Sequence, residues 1–161
     1  MLRRIVSGGQ TGADRAALDV ALERGLEIGG WVPKGRLAED GAIPDVYTGL
    51  READSSDPAV RTALNVRDSD ATLIVSHGPL SGGSLLTLME ATRLGRPVLH
   101  LDVAKVPQAA AVTHLRTWLR AVGPATLNVA GPRASHDPAI AGRVAELLRA
   151  VLPSIGTRRV R

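Results

Sequence analysis

The sequence has no cysteine and no phenylalanine, and its aromatic residues are limited to two tryptophans and one tyrosine. The lack of cysteine excludes disulfides, thiolate zinc sites, iron–sulfur clusters and cysteine nucleophiles. The scarcity of aromatic rings removes the stacking platforms with which proteins grip single-stranded nucleic acids. The net charge of +4 comes from basic residues that are scattered among 16 acidic ones, without a continuous basic stripe. We therefore expect no nucleic-acid partner.

Long hydrophobic runs are absent as well. No stretch approaches the roughly 18 apolar residues of a membrane span, and no apolar segment with a cleavage site follows Met1. We therefore expect a cytoplasmic protein with no membrane partner. A chain of 161 residues with 44% hydrophobic content can bury one core, so we predict one domain over residues 1–153. Three arginines crowd residues 154–161, which we expect to form a disordered basic tail.

Strand and helix patterns alternate along the chain. Strands are predicted over residues 3–7, 27–32, 71–77, 97–102 and 125–130, and helices over residues 13–24, 58–67, 84–94, 107–122 and 138–152. The segment 33–56 is rich in glycine, proline and charge, and its lack of periodicity predicts a long loop. Apolar strands joined by helices are typical of a buried parallel sheet. The pattern predicts an α/β fold: a Rossmann-like three-layer sandwich in which a mostly parallel sheet of about five strands carries helices on both faces.

Two glycine turns follow predicted strands, one at Ser7–Gly12 and one at Ser81–Ser84. Glycine lets the backbone approach a ligand closely, and the helix that follows each turn directs unpaired N–H groups at an anion. Ligands of parallel α/β sheets bind beyond the carboxyl ends of the strands, where both turns would lie. The two turns therefore predict one composite site for a phosphate-bearing ligand.

The first turn differs from the known nucleotide-binding motifs. It fits the dinucleotide pattern only with Ser7 in place of the first glycine, and the second strand runs into Lys34 rather than an acid for the ribose. A P-loop would need a lysine and a hydroxyl after Gly12, where Ala13 and Asp14 stand instead. These departures disfavour ordinary NAD binding and kinase or ATPase activity.

Asp14 has two interpretations. With Thr11 as the N-cap, Asp14 would occupy the N3 position of the helix and favour its positive end. Alternatively, Asp14 faces the ligand and binds a ribose hydroxyl or a base edge, while Arg15 pairs with a phosphate. Both interpretations can hold at once.

The four histidines show no metal-ligand spacing, so we predict no metal site. His100 and Asp102 alternate on one strand face, which leaves a metal pair open, but a buried, hydrogen-bonded histidine is the commoner case. His77 stands at a strand end beside a glycine and is the histidine that we would test first. Arg51, Arg61 and Arg133 are candidate phosphate ligands because a guanidinium can bind two oxygens at once. Ordinary salt bridges to nearby acids are the alternative for each of them.

Several motifs together resemble the family of putative molybdenum carriers. They are Ser7–Asp19, Gly29–Arg36, Asp40–Pro44, Arg61–Val66, Ser69–Leu73 and Leu127–Arg133, and the resemblance covers nearly the whole chain. That family is regarded as a circularly permuted, YpsA-like branch of the Rossmann-like SLOG and lysine-decarboxylase-like superfamily. The resemblance implies that one pocket is lined by Gly8, Gly9, Gln10, Thr11, Gly12, Asp14, Arg15, Lys34, Arg61, Gly82, Gly83, Ser84, Thr87, Gly131 and Arg133.

The resemblance implies two functions. The first is a carrier or sensor that binds a phosphate-bearing, nucleotide-like or pterin ligand, so the cofactor stays open between molybdenum cofactor and a nucleotide. The second is a nucleotide N-glycosidase acting on nucleoside monophosphates, with Glu90 as the catalytic acid or as an assistant to the nucleophile. Phosphoribohydrolases of the superfamily carry P-G-G-x-G-T-x-x-E, and Thr87 and Glu90 each lie one residue late relative to it, which rotates them by about 100° on a helix. Relatives commonly self-associate, so we also expect a homo-oligomer.

Overall fold

The structure, a computed structural model, describes residues 1–153. Its strands are β1 (Arg4–Val6), β2 (Glu27–Val32), β3 (Leu37–Ala38), β4 (Gly41–Ala42), β5 (Leu50–Glu52), β6 (Ala71–Ser76), β7 (Val98–Asp102) and β8 (Thr126–Ala130). Its helices are α1 (Ala13–Glu23), α2 (Pro58–Arg67), α3 (Gly82–Arg93), α4 (Gln108–Val122) and α5 (Ile140–Val151). The basic tail predicted for residues 154–161 lies outside the described residues.

The main sheet has six strands in the order β5-β2-β1-β8-β6-β7, and every neighbouring pair is parallel. The predicted Rossmann-like architecture is therefore confirmed, with one strand more than the five that the pattern indicated. The additional strand, β5, lies inside the segment predicted as a loop, which also holds the antiparallel pair β3 and β4. Strands of two or three residues are too short to show a period, and that prediction was wrong for this reason.

Helices cover both faces of the sheet, with α1, α4 and α5 on one side and α2 and α3 on the other. The first side carries the main apolar core, in which alternate residues of the strands, such as Ile5, Leu73 and Leu127, are fully buried. They pack against apolar residues of the helices, including Ile140 and Leu147 of α5. Each such side chain contributes about 1.5–3 kcal/mol by leaving water, so this layer accounts for much of the fold's stability.

The other face of the sheet is also buried, and it is rich in polar side chains beside apolar ones such as Val6 and Ile74. Because strand residues alternate between faces, the partners of the apolar residues point toward α2 and α3. There the buried side chains include Thr72, Ser76 and Asn128 of the strands, Thr62 and Asn65 of α2, and Ser84 and Thr87 of α3. Buried polar groups need hydrogen-bond partners, and Asn65 bonds both the N–H and the carbonyl of Trp31, at 2.7 and 2.9 Å. This layer places polar groups next to the carboxyl edge of the sheet.

The starts of two helices show how local sequence sets the fold. Asp57 caps α2 by accepting a hydrogen bond from the Ala59 N–H at 3.0 Å, and Pro58 occupies the first helical position, as the Asp-Pro pair predicts. The prediction that Thr11 caps α1 was wrong. Gly12 takes this position with φ of 80°, and no side chain caps the helix. The Thr11 hydroxyl accepts a hydrogen bond from the Ala134 N–H instead, at 3.1 Å.

Among the residues that the structure describes, none of the helices combines the length and the apolar character needed to cross a membrane.

Candidate functional site

A cavity of about 220 Å³ lies at the carboxyl edge of the sheet, where β1, β8 and β6 stand side by side. It is lined by the loops that follow these three strands, by the first turns of α1 and α3, and by Arg61 of α2. The predicted site residues that line it are Gln10, Asp14, Arg61, Gly82, Gly83, Ser84, Thr87, Gly131 and Arg133. The two glycine turns therefore contribute to one cavity, although they contribute in different ways.

The glycines of the first turn allow neighbouring segments of the chain to pack closely against it. A side chain at Gly8 would place its Cβ 2.6 Å from the Cζ atom of Arg61, and one at Gly12 would meet the carbonyl oxygen of Pro132 at 2.5 Å. Gly9 has φ of 71° and faces Ile43. The N–H of Ala13 in the first turn of α1 already donates to the Pro132 carbonyl, at 3.3 Å. Gly8, Gly9 and Gly12 thus hold neighbouring segments together and do not line the main cavity.

The second glycine turn is open. A Cβ atom at Gly82 or Gly83 would meet nothing within 4 Å, and the Ser81 side chain makes no capping hydrogen bond to α3. The helix contains no acidic residue in its first turn. An uncapped helix N-terminus directs N–H groups and a partial positive charge into the space before it. This end of α3 is therefore suited to an anion.

Asp14 and Arg61 form the charged floor of the cavity. Asp14 is buried, and its carboxylate accepts a hydrogen bond from the Gln10 N–H at 3.2 Å. Burial raises the pKa of Asp14 to about 6, and the nearby Arg61 guanidinium opposes this rise. The Nε atom of Arg61 is buried without a hydrogen-bond partner in the described residues, while its Nη1 donates to Thr62 at 2.6 Å. Asp14 and Arg61 thus bring one acidic and one basic side chain to the lining of the cavity.

Thr11 and Arg15 are engaged elsewhere. Arg15 makes a two-pronged ion pair with Asp40 and donates from Nε to the Gly9 carbonyl at 3.1 Å. The Thr11 hydroxyl pairs with Glu39. Asp40 and Glu39 belong to the turn between β3 and β4, so these contacts fasten that hairpin over the first glycine turn. Neither Thr11 nor Arg15 lines the cavity.

Two further predicted residues also lie away from the cavity. Lys34 is exposed, and its backbone N–H donates to the Ser55 carbonyl at 2.9 Å. Glu90, the predicted catalytic acid, lies on α3 and pairs with Arg93 at 2.8 Å across one helical turn. Thr87 and Glu90 share the one-residue offset in the sequence, yet Thr87 lines the cavity and Glu90 does not. The structure does not bring Glu90 to the other site residues.

The cavity also contains residues that the sequence did not assign to it. His77, which follows β6, binds through Nδ1 to Oδ2 of Asp137 in the loop after β8. His136 lines the same cavity. The Asp137-Pro138 pair predicts only a helix start with Asp137 as its cap, whereas α5 begins at Ile140 with Ala139 as the N-cap. The signal that could have found Asp137 is its place after a strand that ends beside β6.

His100 is hydrogen-bonded rather than part of a metal pair. Its Nε2 atom lies 2.7 Å from Oγ of Ser76. Burial lowers the pKa of His100, so the ring is neutral at pH 7. Asp102 accepts hydrogen bonds from the N–H groups of Gly78 and Ala104, at 2.8 and 3.0 Å. Within residues 1–153, no three side chains of the metal-binding types cluster closely enough to hold an ion.

A parallel α/β sheet with an anion-receptive cavity at its carboxyl edge defines a ligand-binding protein of the Rossmann-like class. The model of the circularly permutated YpsA SLOG family matches residues 5–152, so the chain belongs to this family. A similar solved structure is that of a protein named Putative molybdenum carrier protein from Syntrophus aciditrophicus. It is 48% identical, the match covers 94% of this chain and 95% of that chain, and the TM-score is 0.91. No curated protein matches the chain.

Proposed function

We propose that the protein is a carrier or sensor that binds a small phosphate-bearing ligand, nucleotide-like or pterin, in the cavity at the carboxyl edge. One observation carries this proposal: the uncapped N-terminus of α3 shares the cavity with Arg61, whose buried Nε has no partner in the described residues. Backbone N–H groups and a guanidinium are complementary to phosphate oxygens. The family membership and the polar face of the sheet are consistent with this role.

The ligand would lie across the cavity in a defined direction. Its phosphate would sit at Gly82, Gly83 and Ser84, with Arg61 and Arg133 beside it. The ring would then reach Asp14, whose carboxylate can accept hydrogen bonds from ring N–H groups or from a ribose hydroxyl. Gln10 is held in place because its Oε1 accepts from the N–H groups of Thr11 and Glu39, at 3.0 and 2.9 Å, which leaves its amide NH₂ as a donor to the ligand.

The name of the Syntrophus protein supports a molybdenum-bearing ligand. The described residues offer no cluster of protein ligands for a bare metal ion. Molybdenum cofactor holds the metal through its own dithiolene sulfurs, so the protein would need only to grip the pterin and the phosphate. We therefore propose the cofactor, rather than the free metal ion, as the form in which molybdenum would bind.

A nucleotide N-glycosidase is the second candidate function. It is favoured by Asp14, a buried carboxyl group in the cavity whose pKa of about 6 allows it to hold a proton near neutral pH. Asp14 would then take the role that the sequence assigned to Glu90. Incubation with nucleoside monophosphates, followed by chromatography for free base, tests this function. Base release that Asp14→Asn abolishes would support it, and an absence of release from every monophosphate would refute it.

We also propose that the protein is a cytoplasmic homo-oligomer that associates through the outer side of α2 and α3. Val60, Leu85 and Met89 lie there with 37%, 40% and 59% of their surface exposed. A self-associating surface would bury these apolar groups. Light scattering of the wild type and of Met89→Glu tests the proposal: the oligomer should dissociate in the variant, and a monomeric wild type would refute it.

Thermal-shift measurements test the binding proposal. The panel should include nucleoside monophosphates, pterin phosphates, molybdate and inorganic phosphate. A ligand at a hundredfold over its Kd adds about 2.7 kcal/mol of stability. Gly83→Val should abolish the shift, because its side chain would fill the open space before α3. Gly142→Val is the matched control, since Gly142 is also a helical glycine with nothing within 4 Å of a Cβ, and it lies on α5 outside the cavity. If Gly83→Val retains full binding, the placement of the phosphate is wrong.

A further inference from the structure

His77 and Asp137 form a carboxylate–imidazole pair at the cavity. His77 follows β6 and Asp137 lies in the loop after β8, and these two strands are neighbours in the sheet. Their side chains are 31% and 16% exposed, so the pair is partly shielded from solvent. Asp137 is itself held in place, because its Oδ1 accepts from the Ala139 N–H at 3.0 Å and its N–H donates to the Arg133 carbonyl at 3.1 Å.

The carboxylate determines which nitrogen of His77 is free. With Nδ1 bound to Asp137, the neutral ring carries its proton on Nδ1 and presents Nε2 as an unprotonated nitrogen. No group of the described residues hydrogen-bonds Nε2. When Nε2 takes a proton, the ring becomes a cation beside Asp137 at the cavity, which both residues line. A negative charge on each side of an imidazole favours this charged form.

The other charges at the cavity are suited to a ligand with two negative charges. Arg61 of α2 and Arg133 of the loop after β8 line it, and the positive end of α3 opens into it. His136 is a further titratable group there, and Asp14 of α1 contributes the acidic side chain on the floor. A phosphate monoester is a dianion at neutral pH, whereas a phosphodiester carries a single charge. The dianion gains more from an additional cation.

We infer that His77, oriented by Asp137, takes up a proton at Nε2 when the ligand's phosphate binds, and that the site thereby selects phosphate monoesters over diesters. The proton comes from the solvent, and the new N–H donates to a phosphate oxygen, so no covalent bond of the ligand is made or broken. Asp137 is a positioning residue in this scheme. The inference rests on the proposed phosphate-binding function and adds the charge state of the ligand.

Isothermal titration calorimetry measures this proton directly. Guanosine 5′-monophosphate and its 3′,5′-cyclic diester would be titrated into the protein at pH 7.5, in buffers of different ionisation enthalpy. We expect the wild type to take up a large fraction of one proton when the monoester binds. Its Kd for the cyclic diester should be at least about tenfold higher than its Kd for the monoester. His77→Gln should abolish the uptake and the preference for the monoester. His114→Gln, the same change at an exposed histidine of α4 that does not line the cavity, should leave both intact.

Two further variants separate His77 from its neighbours. Asp137→Asn keeps an oxygen for the Ala139 N–H and removes the charge, so it should lower the uptake while the protein stays folded. Nitrogen-15 NMR of the imidazoles should show the Nδ1–H form of neutral His77 in the wild type and lose this signature in Asp137→Asn. Asp14→Asn should retain the uptake.

The outcomes distinguish the two proposals. If no phosphate-bearing probe binds the wild type, the pterin phosphates of the thermal-shift panel included, the proposed function fails and this inference fails with it. If the monoester binds without proton uptake, or if the uptake survives in His77→Gln and disappears in Asp14→Asn, the inference alone is overturned.

Discussion

Replacement of the buried Asp14 by asparagine should stabilise the protein at neutral pH. Asp14 lies on the floor of the cavity, and burial raises its pKa from 3.8 to about 6. A raised pKa means that the native state prefers the protonated, uncharged form. Asparagine has nearly the same shape as the protonated acid, and its Oδ1 can still accept the hydrogen bond from the Gln10 N–H. The substitution therefore removes the cost of the buried charge and retains the contact.

The size of this effect follows from the two pKa values. The native group titrates at about 6 and the unfolded group at 3.8, and each pH unit between them corresponds to 1.36 kcal/mol, which gives about 3 kcal/mol. Between pH 4 and pH 6 the native state holds a proton that the unfolded chain has released. The free energy of unfolding therefore falls by about 3 kcal/mol as the pH rises through this window, and the loss is complete above pH 6.

Urea denaturation from pH 4 to pH 8 measures the effect. The difference in the free energy of unfolding between Asp14→Asn and wild type should be close to zero at pH 4 and should approach about 3 kcal/mol above pH 6. Asp45→Asn makes the same change of charge at an exposed position and is the matched control. It should not show this step between pH 4 and pH 6.

Two results would refute the reasoning. One is a variant that is less stable than the wild type at pH 7. This would mean that the attraction between the Asp14 carboxylate and the Arg61 guanidinium outweighs the cost of burying that carboxylate. The other is a stability difference that does not change with pH. The expected result would also bear on function, because a carboxylate kept at a cost in stability is typical of a site that uses its charge.

Three other substitutions test separate parts of the structure. Gly12→Ala should cost at least about 2 kcal/mol more than Gly95→Ala by urea denaturation: both glycines have positive φ, but only a Cβ at Gly12 meets backbone, at 2.5 Å. Equal costs would contradict the close packing against Pro132. Leu127→Ala should cost about 2–5 kcal/mol because Leu127 is fully buried at the centre of the sheet, and a cost below this range would place it outside the core. Glu90→Gln should leave ligand-induced thermal shifts unchanged. A loss of the shifts would mean that Glu90 takes part in ligand binding.

The alternation of strands and helices could be predicted from the sequence because each element is long enough to show its period. β2 (Glu27–Val32) was predicted with the bounds that the structure shows. β5 could not be found, since Leu50–Glu52 is too short for a pattern and lies in a segment rich in glycine and proline. The strand order was equally inaccessible, because the pairing of β8 with both β1 and β6 joins residues far apart in the chain.

The place of the candidate cavity could be predicted from the glycines and strand ends, but the sequence did not show which contacts each side chain makes. Gly12 and Gly83 look alike in sequence, yet the first packs against backbone and the second faces open space. The sequence predicted Arg15 as a phosphate ligand, but in the structure Arg15 forms an ion pair with Asp40 of the β3–β4 hairpin. The pairing of His77 with Asp137 depends on two neighbouring strands and could be found only in three dimensions.

The position of β8 has a consequence for the folding of the chain. β8 is the last strand in sequence, yet it lies between β1 and β6 and is the element that connects β5-β2-β1 with β6-β7. Until residues 126–130 are in place, the two parts of the sheet have no strand pairing with each other. Pairing between strands that are far apart in the sequence forms slowly relative to local contacts. The cavity takes its walls from both parts, so the ability to bind ligand should arise together with the final strand, and ligand binding could be used to time the last step of folding.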